Sequence, residues 1–367
     1  MFRFALPTKI IFGKKCVKEH AAELLTLGKK AFIVTGKYSA KLNGSLLDVQ
    51  EALESIGISY ILFDQITSNP TIDQVRTASQ IAREKKVDFI IGIGGGSPLD
   101  AAKAIAVLAT NELDDQQLFS GPYAQPFLPV AAVPTTAGTG SEVTQYSILS
   151  NANLETKTSI AHSGIFPKLA FLDARYTTKL PKRVTIHTAV DALSHSLEGY
   201  LSVKATTFSN IFAEKGLQLL GECLPYISKD PTLEIREKLL YASMLGGIVI
   251  AHTGTTAVHS MGYSLTYFKG IDHGRANGLL LAEYLRYLDV SYHEKIQTIL
   301  QILQMKTIDE FAVKMHHLLG ETDTITAAEV KLFSEKAAGA ANIANTLLPP
   351  TEQDLAAMFQ KSLKFVS

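Results

Sequence analysis

Asp191 and His195 stand four residues apart in Val190-Asp-Ala-Leu-Ser-His-Ser-Leu-Glu-Gly-Tyr200. On a helix that spacing stacks both side chains on one face, where a carboxylate and an imidazole can grip a single ion. Two more imidazoles, His259 in Val258-His-Ser-Met-Gly-Tyr263 and His273 in Ile271-Asp-His-Gly-Arg-Ala-Asn277, come from glycine-punctuated apolar surroundings. One carboxylate with three imidazoles suits Fe²⁺ or Zn²⁺ better than Mg²⁺ or Ca²⁺, which prefer all-oxygen shells. Affinity favours zinc over ferrous iron, so metal availability decides as much as the ligand set. Each residue also reads as a core side chain satisfied by hydrogen bonds, and sequence distance does not by itself bring the four together. Asp191 resists that reading most, because a carboxylate on a buried helix needs a cation or several donors.

A second chemistry is written in Val87-Asp-Phe-Ile-Ile-Gly-Ile-Gly-Gly-Gly-Ser-Pro-Leu-Asp-Ala-Ala-Lys103, an apolar run that passes through three glycines into a helical pattern. Gly94, Gly95 and Gly96 let backbone N–H groups approach a ligand, and the helix that follows points its positive end at the same place, as a pyrophosphate requires. Ser97 reads as the N-cap and Pro98 as the first helical residue. The motif is not a GxGxxG fingerprint, and its plain alternative is a tight strand-to-helix turn. Pro134-Thr-Thr-Ala-Gly-Thr-Gly-Ser-Glu142 follows another apolar run and offers hydroxyls from Thr135, Thr136, Thr139 and Ser141, or else is an ordinary polar loop.

Elements must position these groups, and their pattern changes once along the chain. Short β-rich runs at Ala31–Thr35, Tyr60–Phe63, Phe89–Ile93 and Pro129–Val133 alternate with amphipathic segments such as Leu46–Ile56 and Ile72–Lys85, the pattern of a parallel βαβ domain. Beyond about Pro181 helical periodicity takes over, in Leu193–Leu201, Ile211–Leu220, Ile235–Ile250 and Gly278–Leu288. The expected organisation is an α/β domain over residues 1–180 and a helical domain over 181–367, packed along a shared cleft.

Composition narrows the function classes. Among 367 residues, 46% are apolar and 19% charged, as in a well-packed globule. The 35 basic and 35 acidic side chains balance, which leaves no field to gather nucleic acid or an anionic membrane. Cys16 and Cys223 form no CxxC pair, which argues against both a disulfide framework and a thiolate metal site and fits a reducing cytoplasm. The N-terminus lacks a secretory apolar stretch, and Leu239–Ala251 is too short to span a bilayer and reads as a buried helix.

These motifs, in their order and spacing, resemble the iron-containing, group III alcohol dehydrogenase family, whose members include lactaldehyde, butanol and 1,3-propanediol dehydrogenases. The resemblance covers nearly the whole chain and rests on Gly94 to Lys103, Pro134 to Glu142, Asp191 to Glu198, His259 and His273-Gly274. It implies a Rossmann-like first domain, a helical second domain of dehydroquinate synthase-like architecture, and NAD(P)-dependent hydride transfer to or from a small primary alcohol or aldehyde. It implies Fe²⁺, with Zn²⁺ as the alternative, on Asp191, His195, His259 and His273. It also implies a dinucleotide site lined by Asn69, Gly95, Gly96, Ser97, Thr135, Thr136 and Lys157, with Asp100 and Lys103 either beside it or structural, and a homodimer. A zinc glycerol dehydrogenase, a dehydroquinate synthase-like lyase and a non-catalytic dinucleotide sensor are the competing readings.

Two departures from the family pattern carry consequences. Many NAD-preferring members have an aspartate after the strand that here ends in Thr35-Gly36. Gly36 removes its repulsion of a 2′-phosphate while Lys37, Ser39 and Lys41 offer charge or donors, so NADP(H) is expected over NAD(H). Tyr263 stands where many relatives have a proton-relaying histidine, and reads either as a substitute relay or as a packing aromatic.

Overall fold

The computed structural model describes residues 2–366, which cluster into two compact units, one of Arg3–Leu180 and one running from Pro181 onward with Phe2. In the first, six strands form one parallel sheet: β1 (Lys9–Phe12), β2 (Lys30–Gly36), β3 (Ser59–Ile66), β4 (Phe89–Gly94), β5 (Val130–Pro134) and β8 (Leu169–Leu172), in the order β1-β8-β5-β4-β2-β3. A separate antiparallel hairpin pairs β6 (Tyr146–Asn151) with β7 (Thr156–Ala161). The helices of this unit are α1 (Cys16–Glu19), α2 (Ser39–Leu42), α3 (Ser45–Ser55), α4 (Ile72–Glu84), α5 (Gly96–Leu108) and α6 (Asp115–Ser120). The sequence expectation missed β1, β8 and the hairpin, whose short or half-polar runs carry little periodic signal.

Side-chain alternation makes the sheet two-faced. Along β2, Phe32 and Val34 join one apolar cluster with residues of α4 and α5, while Ala31 and Ile33 join another with α1 and α3. Every strand of the centre is therefore apolar on both faces, the mark of a parallel sheet covered by helices. The chain steps from β2 outward to β3 and then returns across β2 to β4. Strand order thus reverses between β2 and β4, and the carboxyl ends of those strands hold Gly36 and Gly94. Open α/β sheets bind ligands at such a reversal.

Below that edge lies a buried ionic cluster. The Lys103 ammonium donates to Ser141 Oγ at 2.7 Å, Thr144 Oγ1 at 3.2 Å and the Tyr146 carbonyl at 2.7 Å. The Asp100 carboxylate accepts from Ser141 Oγ at 2.5 Å and from the Ile148 N–H at 3.2 Å. Glu142 is buried beside them with its Oε1 unpartnered. One ammonium cannot neutralise two buried carboxylates, and burial pushes Glu142 up to about 7. The folded chain then holds a proton that the unfolded chain releases above its ordinary value of 4.5. Glu142 therefore contributes stability that is complete below pH 4.5 and lost as pH rises to about 7. Relative to Glu142→Gln, the parent is expected to lose on the order of 2–3 kcal/mol between pH 5 and 7.5, read from urea midpoints. A difference that does not move with pH contradicts this assignment.

The second unit is helical: α7 (Lys182–Tyr200), α8 (Thr207–Cys223), α9 (Leu233–Thr253), α10 (Ala257–Lys269), α11 (His273–Ile302), α12 (Ile308–Leu319), α13 (Ala327–Ala338) and α14 (Glu352–Ser362), with a small parallel pair β9 (Thr324–Thr326) and β10 (Lys364–Val366). From Ala189 to Tyr200, α7 is buried on every side, packed against α8, α9 and α11. A helix with polar residues in such surroundings must satisfy them internally. Among the described residues no helix is long and apolar enough to cross a membrane.

Candidate functional site

Asp191 and His195 lie one turn apart on α7 and point the same way, as their spacing predicts. His259 enters from the first turn of α10, and His273 is the first residue of α11 rather than a residue ahead of it. The ligand-type atoms of Asp191, His195 and His259, all three buried, lie within 4.8 Å of one another. Nε2 of His195 is 3.1 Å from Nε2 of His259, and Asp191 Oδ1 is 3.9 Å from Nε2 of both His259 and His273. Two donors each about 2.1 Å from one tetrahedral ion stand about 3.4 Å apart, so these separations suit a shared cation. Facing ring nitrogens so close need a cation or a proton between them, and the N₃O donor set fits Fe²⁺ or Zn²⁺.

Close packing of helices brings the four together. A Cβ on Gly274 would lie 1.9 Å from the His187 carbonyl, so only glycine lets the start of α11 meet α7 and deliver His273 beside Asp191. Asp272, the residue before His273, accepts from His187 Nδ1 at 2.8 Å and lies 3.4 Å from the Arg183 guanidinium. Burial holds the His187 ring below its ordinary value despite that carboxylate. His273 keeps 24% of its side-chain surface exposed, against 3–4% for Asp191 and His259, so the cluster opens at His273. The Tyr263 ring stacks on the His273 imidazole with centroids 5.5 Å apart and meets His259 edge-on at 6.2 Å.

Two side chains at this centre escaped the sequence reading. Asn277 places Nδ2 3.1 Å from Asp191 Oδ1, 3.2 Å from His259 Nε2 and 3.3 Å from His273 Nε2. Glu198, wholly buried, meets His259 Nδ1 at 2.5 Å. Helical spacing held the signal for both, since Asn277 is four residues after His273 and Glu198 three after His195.

In the first unit, α5 begins at Gly96 with Gly95 as its N-cap, so Ser97 and Pro98 each sit two positions further in than expected. No side chain caps this helix. Ser97 Oγ instead accepts from the Asn69 N–H at 3.2 Å, and Asn69 holds a left-handed φ of 56°. Gly96 is also forced by packing, because its Cβ would lie 2.7 Å from Thr139 Cγ2. The loop carrying Thr135, Thr136 and Thr139 is thus brought against the uncapped helix end, where backbone N–H groups can hold an anion. Ser141 and Asp100 are committed to each other and to Lys103, which places them under this loop as its support. Lys157 lies on β7, and Ser39 opens α2 beside Gly36. Lys41 is paired with Asp64 at 2.5 Å, so its charge is not available as expected for a 2′-phosphate. That pairing holds the Asp64 carboxyl below its ordinary value.

Family comparison decides what such a pair of sites belongs to. A model described as iron-containing alcohol dehydrogenase matches residues 7–174, and one for the C-terminal part of the same family matches residues 185–363. This chain belongs to the iron-containing alcohol dehydrogenase family. It is an oxidoreductase of alcohols or aldehydes. The dehydrogenase is 30% identical to an NAD-dependent methanol dehydrogenase of Bacillus methanolicus over 83% of its length and 80% of the relative's. It is 31% identical to an NADPH-dependent butanol dehydrogenase of Clostridium saccharobutylicum over 78% and 74%. The crystal structure of an iron-containing alcohol dehydrogenase from Thermotoga maritima superposes with a TM-score of 0.93 at 38% identity, covering 99% of each chain. The dehydrogenase thus carries the parallel-sheet unit and helical unit that its sequence implied.

Proposed function

We propose that this dehydrogenase interconverts small primary alcohols and aldehydes, with NADP(H) preferred, using one divalent cation held by Asp191, His195, His259 and His273. The convergence of buried Asp191, His195 and His259 in the helical unit, with partly exposed His273 Nε2 3.9 Å from Asp191 Oδ1, is the observation that carries the reading. Once bound, the cation supplies Lewis-acid polarisation of the substrate oxygen, and the nicotinamide supplies the hydride acceptor or donor. The protein's share is placement. Asp191 brings one negative charge to three neutral imidazoles, His273 sits on the open side where a substrate oxygen can reach the centre, and α7, α9 and α10 keep water from the rest.

The dinucleotide reading rests on the uncapped start of α5, on Thr135 and Thr136 beside it, and on Asn69 held in a left-handed conformation against Ser97. NADP(H) preference rests on the lack of a carboxylate at Gly36 and on Lys37 next to it. The relatives differ on this point, one being NAD-dependent and one NADPH-dependent by name. A panel of alcohols and aldehydes followed by nicotinamide absorbance, on protein of measured metal content, tests the whole reading. Binding without turnover, or product without net redox change, sinks it.

Tyr263 works here as a packing residue. Its ring lies nearly parallel to that of His273, at 16°, which holds the exposed ligand in place. Tyr263→Phe keeps that stack and is expected to change kcat by less than about twofold with the pH profile intact, against the roughly hundredfold a general acid–base group contributes. A displaced pH profile would make the hydroxyl a proton carrier.

A further inference from the structure

The wall behind His259 is built from charge. Glu198 lies on α7 three residues past His195, with no part of its side chain exposed. Its Oε1 faces His259 Nδ1 at 2.5 Å. Its Oε2 accepts from the Thr256 backbone N–H and from Thr256 Oγ1, both at 2.7 Å, and from the His259 N–H at 3.4 Å. Thr256 Oγ1 is in turn 2.9 Å from the hydroxyl of fully buried Tyr284. Thr256 is the N-cap of α10 yet caps nothing with its own side chain. The orphan donors at the start of the helix that carries His259 are thus met by a carboxylate from another helix.

A carboxylate is acceptor-only, so an uncharged His259 ring must carry its proton on Nδ1 to share this bond. Its Nε2 then presents a lone pair toward Asp191 and His195. The opposite tautomer would aim an N–H into the same point. We infer that Glu198 is a positioning residue for the cation: it locks His259 in the Nδ1–H tautomer and fixes the angle at which Nε2 faces the centre. The inference rests on the reading that His259 is a metal ligand. Groups that orient a ligand from behind in this way commonly set metal affinity as strongly as some ligands do.

Glu198→Gln separates tautomer control from mere filling of space. The glutamine has the same shape but accepts on one side only. Its oxygen is claimed by the two Thr256 donors, which turns the amide NH₂ toward His259 Nδ1 and drives the ring proton to Nε2. Zinc affinity of the full chain, measured by competition against a chromophoric chelator, is expected to fall about 10–100-fold, with the circular dichroism spectrum unchanged. Affinity within twofold of the parent overturns the inference. His259→Ala run alongside distinguishes the two claims: if it binds zinc like the parent, the ligand reading itself fails, whereas loss there without loss in Glu198→Gln removes only the role of Glu198. Should Glu198→Gln not fold, ¹⁵N-histidine spectra of the zinc-loaded parent decide. A proton on His259 Nδ1, protected from solvent exchange, is expected, and an unprotonated Nδ1 overturns the proposal.

Discussion

Stripping divalent metal from the purified dehydrogenase is expected to lower alcohol oxidation by about a thousandfold or more, and ferrous iron or zinc added back singly is expected to restore it. Lewis-acid stabilisation of charge developing on oxygen is worth several kcal/mol, and each 1.4 kcal/mol is about tenfold in rate. His273→Ala should fall in the same range with dinucleotide affinity kept, because His273 sits at the exposed rim of the cluster while the cofactor is assigned to the other unit. His259→Ala should cost more. It removes a donor and leaves the Glu198 carboxylate buried without its ring partner. Full turnover in metal-free protein contradicts the assignment at once.

The second large effect concerns the cofactor. The ratio of kcat/KM for NADPH over NADH is expected to exceed one in the parent and to drop about a hundredfold in Gly36→Asp, since like charges brought together cost several kcal/mol. Geometry permits the test. Gly36 ends β2 at the strand-order reversal, and a Cβ there would approach the Ile66 carbonyl to 3.3 Å, which asks for a small adjustment. Gly36→Ala therefore serves as the steric control and should leave the ratio near the parent's. Lys37→Ala should weaken NADPH alone, because Lys41 is already paired with Asp64. A parent that prefers NADH ends this part of the account.

The legible parts of the molecule were those with a period. β2, β3, β4 and β5 and the crossover helices α3 and α4 matched the alternating runs to within a few residues, because these strands carry continuous apolar runs and the helices are amphipathic. β1 and β8 escaped notice at four residues apiece, and the β6–β7 hairpin alternates polar with apolar too weakly to stand out. In the site, the i, i+4 pair on α7 was visible because one helix sets it. The approach of His259 and His273 was not, since it depends on glycines such as Gly274 that let separate helices close to backbone contact. Asn277 and Glu198 were on the right faces of their helices yet were passed over, because an amide and a carboxylate behind the ligands resemble ordinary polar residues until packing shows what they touch. Ser97 misled in the opposite sense. It looks like an N-cap by type, while Gly95 takes that position and frees the serine for Asn69.

The central claim is that one cation sits among Asp191, His195, His259 and His273. Anomalous diffraction from crystals grown with Fe²⁺ or Zn²⁺, collected on both sides of the metal edge, tests it most directly. One strong peak is expected within about 2.0–2.3 Å of Asp191 Oδ and Nε2 of the three histidines. A peak bound elsewhere, or none in catalytically active crystals, would contradict the account.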